Sequence, residues 1–194
     1  MKFVKVVTFA AALLATGGVL TACGADEGTK ESSSASSSVA ASTEASSSVE
    51  VTSTASISDQ ASVLEKALGA DGNWIVAATA DVTFDNDLTV TGEFHDKGDD
   101  TQAVYRKLAL YSQDEDRNVT AEYTITVPKI VVESENLNIV HGTVKGDIEV
   151  KANGFVLDGA KVEGNVTFAS KEFQDSAKLE ENGATVSGDV TVAE

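Results

Sequence analysis

The stretch GAKVEGNVTF, Gly159 to Phe168, recurs twice: as HGTVKGDIEV, His141 to Val150, eighteen residues earlier, and as GATVSGDVTV, Gly183 to Val192, twenty-four residues later. In each copy, residues of one parity are apolar: Val144, Ile148 and Val150; Val162, Val166 and Phe168; Val186, Val190 and Val192. Same-parity residues of a strand share one face, so each copy offers an apolar row. Gly146, Gly164 and Gly188 hold that parity without a side chain, which suits a tight inward corner. Self-similarity at periods of about 20 residues is the mark of stacked coils, each burying its row on the next. The expected fold is all-β: a small right-handed parallel β-helix, or β-solenoid. An antiparallel sandwich competes, but in-phase copies of one corner stack naturally and do not alternate in direction.

Working outward, IVAATADVTF, DLTVTGEF, AVYRKLALYS, VTAEYTITV and KIVVE are rich in β-branched and aromatic residues and read as strands from Trp74 onward. Pro128 sits between two of these runs, and Val90 to Phe94 reads as a degenerate earlier copy of the repeat. DQASVLEKAL, Asp59 to Leu68, has helical spacing, with Ser58 as N-cap, Gly69 as stop, and Val63, Leu64, Ala67 and Leu68 on one face. Such a helix would cap one end of the stack and cover its open edges. No long helical pattern follows Gly69. The solenoid domain is therefore expected over 59–194.

The repeats, with their Val-x-Gly-Asp/Asn-Val frame over about 138–194, resemble the bactofilin-like polymer-forming families. The resemblance implies a β-helical fold and raises self-association through solenoid ends as one functional reading.

The amino terminus has a different logic. Lys2 and Lys5 precede an apolar run, Val6 to Leu20, too short for a transmembrane span of ~20 apolar residues and sized for a signal h-region. It ends in Leu20-Thr21-Ala22-Cys23. Here the chain resembles the bacterial lipoprotein family. That resemblance implies a signal peptide over 1–22, a diacylglyceryl thioether on Cys23, and display on the extracytoplasmic face of the cell membrane. Each buried lipid methylene contributes about 0.8 kcal/mol, so two chains anchor firmly. Cys23 is the only cysteine, so no internal disulfide supports the domain. Residues 23–58 are dominated by Ser, Thr, Ala and acids without aromatics, and read as a disordered linker spanning roughly 30–35 Å.

The formal charge is −17, which disfavours nucleic acid as a partner. If coils stack in register, Asp147, Asn165 and Asp189 form one outward row about 4.8 Å apart. Two readings fit: a hydrogen-bonded ladder, with Asn165 separating like charges, or a row that takes a cation or glycan hydroxyls. Lys145 and Glu163 would stack beside it. Asp114-Glu115-Asp116-Arg117-Asn118 opens like a calcium loop, but Val119 and Ile125 stand where an EF-hand needs Gly and Glu. With Asp85 to Asp87 and Asp96 to Asp100, these turns offer weak calcium binding at most, and no cofactor is expected. His95 has no ligand or nucleophile near it in sequence, and His141 holds a corner position shared with Gly159 and Gly183. No nucleophile elbow, zinc helix or phosphate loop is present. The expectation is a non-catalytic displayed domain contacting cell-wall glycan or a surface protein. A glycan-degrading β-helix and a self-associating structural protein are the alternatives.

Overall fold

The chain enters the computed structural model, which describes residues 55–193, as a strand rather than a linker. β1 (Ala55–Ser58) pairs in parallel with β2 (Ile75–Ala78), so four residues that composition assigns to the linker belong to a sheet. The expected signal peptide, Cys23 and the rest of the expected linker lie outside the described residues. Because Ser58 is still paired, the helix starts later than its sequence suggests. α1 spans Ala61–Leu68 with Gln60 at its N-cap, and Ser58 Oγ instead accepts from the Gln60 N–H, 3.1 Å. Its buried face is Leu64, Ala67 and Leu68, while Val63 turns outward, 43% exposed.

Thereafter the chain alternates between two sheets. β2 leads to β3 (Val82–Thr83) and β4 (Leu88–Val90); β5 (Arg106–Ala109) passes through an antiparallel hairpin, β6 (Tyr111–Gln113) and β7 (Val119–Glu122), to β8 (Thr124–Val132). β9 (Leu137–Val140) leads to β10 (Thr143–Val150); β11 (Val156–Asp158) to β12 (Lys161–Val162) and β13 (Val166–Phe168). After α2 (Lys171–Ser176), β14 (Lys178–Glu181) leads to β15 (Thr185–Val186) and β16 (Val190–Val192). The first sheet has the order β1-β2-β5-β9-β11-β14. The second carries β3 and β4 on β8, then β10, then β12 and β13, then β15 and β16. Every pairing within the two sheets is parallel.

The register turns the repeat into columns. Val82, Ile125, Val144, Val162 and Val186 are successive partners. So are Leu88, Ile130, Ile148, Val166 and Val190, and also Val90, Val132, Val150, Phe168 and Val192. Val76, Leu108, Ile139 and Leu157 form the matching column of the first sheet. Members from the middle passes are fully or almost fully buried, and burial of each such side chain stabilises by ~1.5–3 kcal/mol. These columns meet Leu64, Leu68 and Phe155 in one core. In the last pass Val190 is 41% exposed, against 0% for Val166.

The corner glycines answer to stacking. A Cβ on Gly164 would overlap the Gly146 carbonyl oxygen, and one on Gly188 the Gly164 carbonyl oxygen. Gly146 itself faces the Val127 carbonyl oxygen at φ +152. Opposite it the register slips, so that Val127 and Pro128 together face one residue. Pro128 thus lies inside β8, not between runs, at the bulge where a missing N–H is tolerated. The earlier copy sought at Val90 to Phe94 is out of phase. Val90 pairs with Val132 at the Phe168 position, so Gly92 belongs to the following corner. The true partners of Val144 upstream are Ile125 and Val82.

Three segments interrupt the repeat. Residues 91–105 carry a 3-10 turn at Asp96–Gly98 and an antiparallel bridge between His95 and Val104. The β6–β7 hairpin is the second. α2, which no sequence pattern announced, is the third; Ser170 caps it by accepting from the Phe173 N–H, 3.4 Å.

Candidate binding surface

The sheet register brings Asp147, Asn165 and Asp189 into one column, and their hydrogen bonds run along it. Asp147 Oδ1 accepts from the Asn165 N–H, 2.8 Å, and from Asn165 Nδ2, 3.2 Å. Asn165 Oδ1 accepts from the Asp189 N–H, 2.9 Å. The side chains of Asp147 and Asn165 thereby each satisfy the backbone of the next pass, engaging one oxygen of Asp147 and one of the two lone pairs of Asn165 Oδ1. Lys145 Nζ stands 3.7 Å from Glu163, both half exposed, a pair worth under about 1 kcal/mol.

Two of the acidic turns are likewise engaged by their own chain. Asp114 accepts from the Asn118 N–H and Nδ2 at 2.8 and 3.0 Å, bonds that hold its carboxyl below the ordinary value. Asp99 accepts from Thr101 Oγ1 and N–H at 2.7 and 2.9 Å and is lowered for the same reason. Among the described residues no three His, Cys, Asp or Glu side chains converge as a metal site.

A second surface has no local sequence signature. In the first sheet Val76, Leu108 and Ile139 point inward with no exposure, so their neighbours Ile75, Lys107 and Asn138, themselves partners, point outward. Around this outer row stand aromatic side chains from two of the interruptions. Trp74 and Tyr105 meet with ring centroids 6.0 Å apart, tilted 57°. Lys107 Nζ donates to Tyr111 Oη, 2.9 Å, and lies 5.1 Å from that ring's centre. Tyr111 meets the His141 ring edge-on at 4.8 Å. Tyr123, at the hairpin's exit, shares a 2.8 Å bond with Ser112. The single tryptophan and two of the chain's three tyrosines thus sit on one strip.

Trp74 lines two concavities. One, of about 280 Å³, is bordered by Asn73, Glu93, Phe94, His95 and Asp100. The other, of about 430 Å³, is bordered by Ile75, Asp96, Val104, Tyr105 and Lys107. Burial, with Asp96, Tyr111 and Asp158 adding to it, pushes the Tyr105 phenol above its ordinary value, so it stays a neutral donor. His95 Nδ1–H donates to the Gln102 carbonyl, 2.8 Å, and Nε2 lies 3.4 Å from Glu93. The first contact and then the second hold the imidazole above its ordinary value. His141 Nδ1 lies 3.2 Å from Glu122, at a corner where His141 adopts φ +55 as Gly159 adopts φ +63.

Beneath the strip lies Arg106, wholly buried on the inward side of β5. It donates to the carbonyls of Ala67, Gly69 and Thr91 and to Ser134 Oγ. Its guanidinium lies 4.1 Å from the centre of the Phe94 ring. It ties the end of α1 to the segment that carries Glu93, Phe94 and His95.

Sequence reading missed this strip because its members meet across a full pass of chain. The parallel pairing of β2 with β5 brings Trp74 to Tyr105, and that of β5 with β9 brings Tyr111 to His141. Among the described residues no helix is long and apolar enough to cross a membrane. In comparison with known proteins, no family model, curated protein or solved structure matches the chain.

Proposed function

We propose that this chain is a bacterial lipoprotein, anchored through lipid on Cys23 at the extracytoplasmic face of the membrane. Its displayed domain is a right-handed parallel β-helix, capped at one end by α1, with a non-catalytic role in ligand binding or envelope structure. The observation that carries the display role is the in-register stacking of inward columns across successive passes. Side chains and glycines of the repeat are consumed in building a rigid rod, and the outward faces of the same strands are left to carry contacts. The anchor rests on the lipobox sequence alone. Retention of the purified chain on isolated cell envelope tests the binding role. Lipid labelling of wild type against Cys23→Ser tests the anchor: label that persists in the variant refutes it.

A second reading, self-association, is favoured by one feature. The row of Val186, Val190 and Val192 in the last described pass is partly exposed, whereas its counterparts in the preceding pass are buried. Strand edges of this kind pair with further strands when nothing covers them. Sedimentation over a wide concentration range tests it; a concentration-independent monomer refutes it.

A further inference from the structure

We infer that the strip formed by Trp74, Tyr105, Lys107 and Tyr111 is a binding site for a neutral glycan chain. This deepens the display reading above and depends on it only for biological access.

The first argument is the concentration of amphipathic rings. Tyr and Trp present a broad apolar face and a polar edge, which makes them the side chains of choice where a surface must bind. This chain has four such residues; a ring contact joins Trp74 to Tyr105, and Lys107, which borders the same concavity as these two, hydrogen-bonds Tyr111. Pyranose rings offer the complement, a C–H face that stacks on an aromatic ring and an equatorial belt of hydroxyls that exchange hydrogen bonds. The belt's partners are present. Asp96 accepts, Lys107 Nζ donates, and Tyr105 and Tyr111 hydroxyls do either. The concavity of about 430 Å³ between Trp74, Asp96, Tyr105 and Lys107 falls within the ~300–1,000 Å³ usual for small ligands.

The second argument is exclusion. The formal charge of −17, with Glu93, Asp96 and Asp100 at the concavities, repels phosphorylated or sulfated ligands. A nonpolar peptide would need a continuous apolar groove, and here Lys107 and Asp96 interrupt it. A neutral polyhydroxyl chain meets both conditions.

Trp74 is the only tryptophan, so intrinsic fluorescence reports on this site alone. The full chain, purified in detergent, is titrated with two probes, chitotetraose and cellotetraose. The expected result is a saturable emission change for at least one, with Kd below about 1 mM, the responding probe telling an N-acetylated from a plain glucan source. Tyr105→Ala is expected to weaken binding about tenfold. Lys107→Ser, on the outward face, is expected to weaken it in a chain whose melting is unaltered, while Lys171→Ala on α2 leaves it unchanged. The proposal is overturned by no response to either probe, by binding that both Tyr105→Ala and Lys107→Ser leave intact, or by equal affinity for a sulfated tetrasaccharide. Envelope retention that persists through such a failure refutes this site and leaves the display role standing.

Discussion

Arg106 carries the most demanding prediction, because a buried cation without a carboxylate partner must be held by neutral acceptors. Its four hydrogen bonds go to Ala67, Gly69 and Thr91 carbonyls and to Ser134. Burial pushes the guanidinium down to about 10, which still leaves it charged at neutral pH. Arg106→Met keeps the length of the stem and removes the charge. Ala67 and Gly69 carbonyls retain a second donor each, from the backbone N–H of Asn73 and Gly72. Ser134 Oγ still donates to the Gly92 carbonyl, 2.7 Å. The Thr91 carbonyl keeps no donor among the described contacts, and one orphaned carbonyl costs about 1–3 kcal/mol. Loss of the buried cation at the end of α1 adds up to ~2 kcal/mol, and relief of the charge's own desolvation offsets part of the sum. The expected net loss is about 3 kcal/mol, or a fall in Tm of about 10 °C for a domain of this size. Thermal melting by circular dichroism measures it, and hydrogen exchange across α1 should rise by the same free energy or more. An unchanged Tm, or protection lost everywhere except α1 and residues 91–94, refutes the reasoning.

Four shorter predictions follow from the stack, the ladder and the 91–105 segment. Phe168→Ala empties a position with 0% exposure and should cost about 3–5 kcal/mol in denaturant unfolding; a shift under 1 kcal/mol would mean the inward column is looser than its register implies. Gly164→Ala drives a Cβ into the Gly146 carbonyl oxygen, whereas Gly183→Ala meets nothing within 4 Å and bears only the strain of φ +82; the first should melt well below the second. Asn165→Asp stacks three carboxylates in one column and should cost ~1 kcal/mol or less; stability restored by millimolar calcium would favour the cation reading of this row over the ladder. His95, held above its ordinary value in the folded chain, contributes stability that is fully present below its unfolded pKa near 6.5 and is lost as pH rises through its folded pKa. A proton NMR titration of His95 at or below the free-imidazole value would contradict the Gln102 and Glu93 contacts.

The repeat was legible because its constraint is local. Val162, Val166 and Phe168 face one way by parity alone, and Gly164 is required wherever one backbone crosses another at contact distance. That same locality explains where the reading slipped. Val90-Thr91-Gly92 imitates the motif over five residues, but its register is set by Val90 lying against Val132, a partner no short window contains. Ser58 looks like an N-cap in isolation; pairing with Ala78 keeps it in a strand. Val63 belongs to the right helical arc and still faces water, while Leu64, Ala67 and Leu68 are buried and Ala61 packs beside them. Arg106 gave no warning, since an arginine inside a strand ordinarily points out. Here its parity points in, and the α1 carbonyls that receive it lie in another pass.

The two outward surfaces differ for a reason that bears on function. Where passes are alike, stacking places like residues above one another, and the outward columns become ladders: Asp147 and Asn165 spend hydrogen-bonding capacity on the backbone of the next pass. A ladder steadies the rod and discriminates little, because each rung resembles the last. Discrimination requires unlike groups at fixed spacing, and a stacked fold obtains them only where the repeat is broken. Residues 91–105 and the β6–β7 hairpin break it on either side of β5. On and beside β5 lie Tyr105, Lys107 and Tyr111, with Trp74 against Tyr105 and Lys107 against Tyr111. Arg106, directly beneath, fixes one of these interruptions to the end of α1. On this argument the proposed glycan contact belongs to the irregular passes, and the regular ones toward β16 support it.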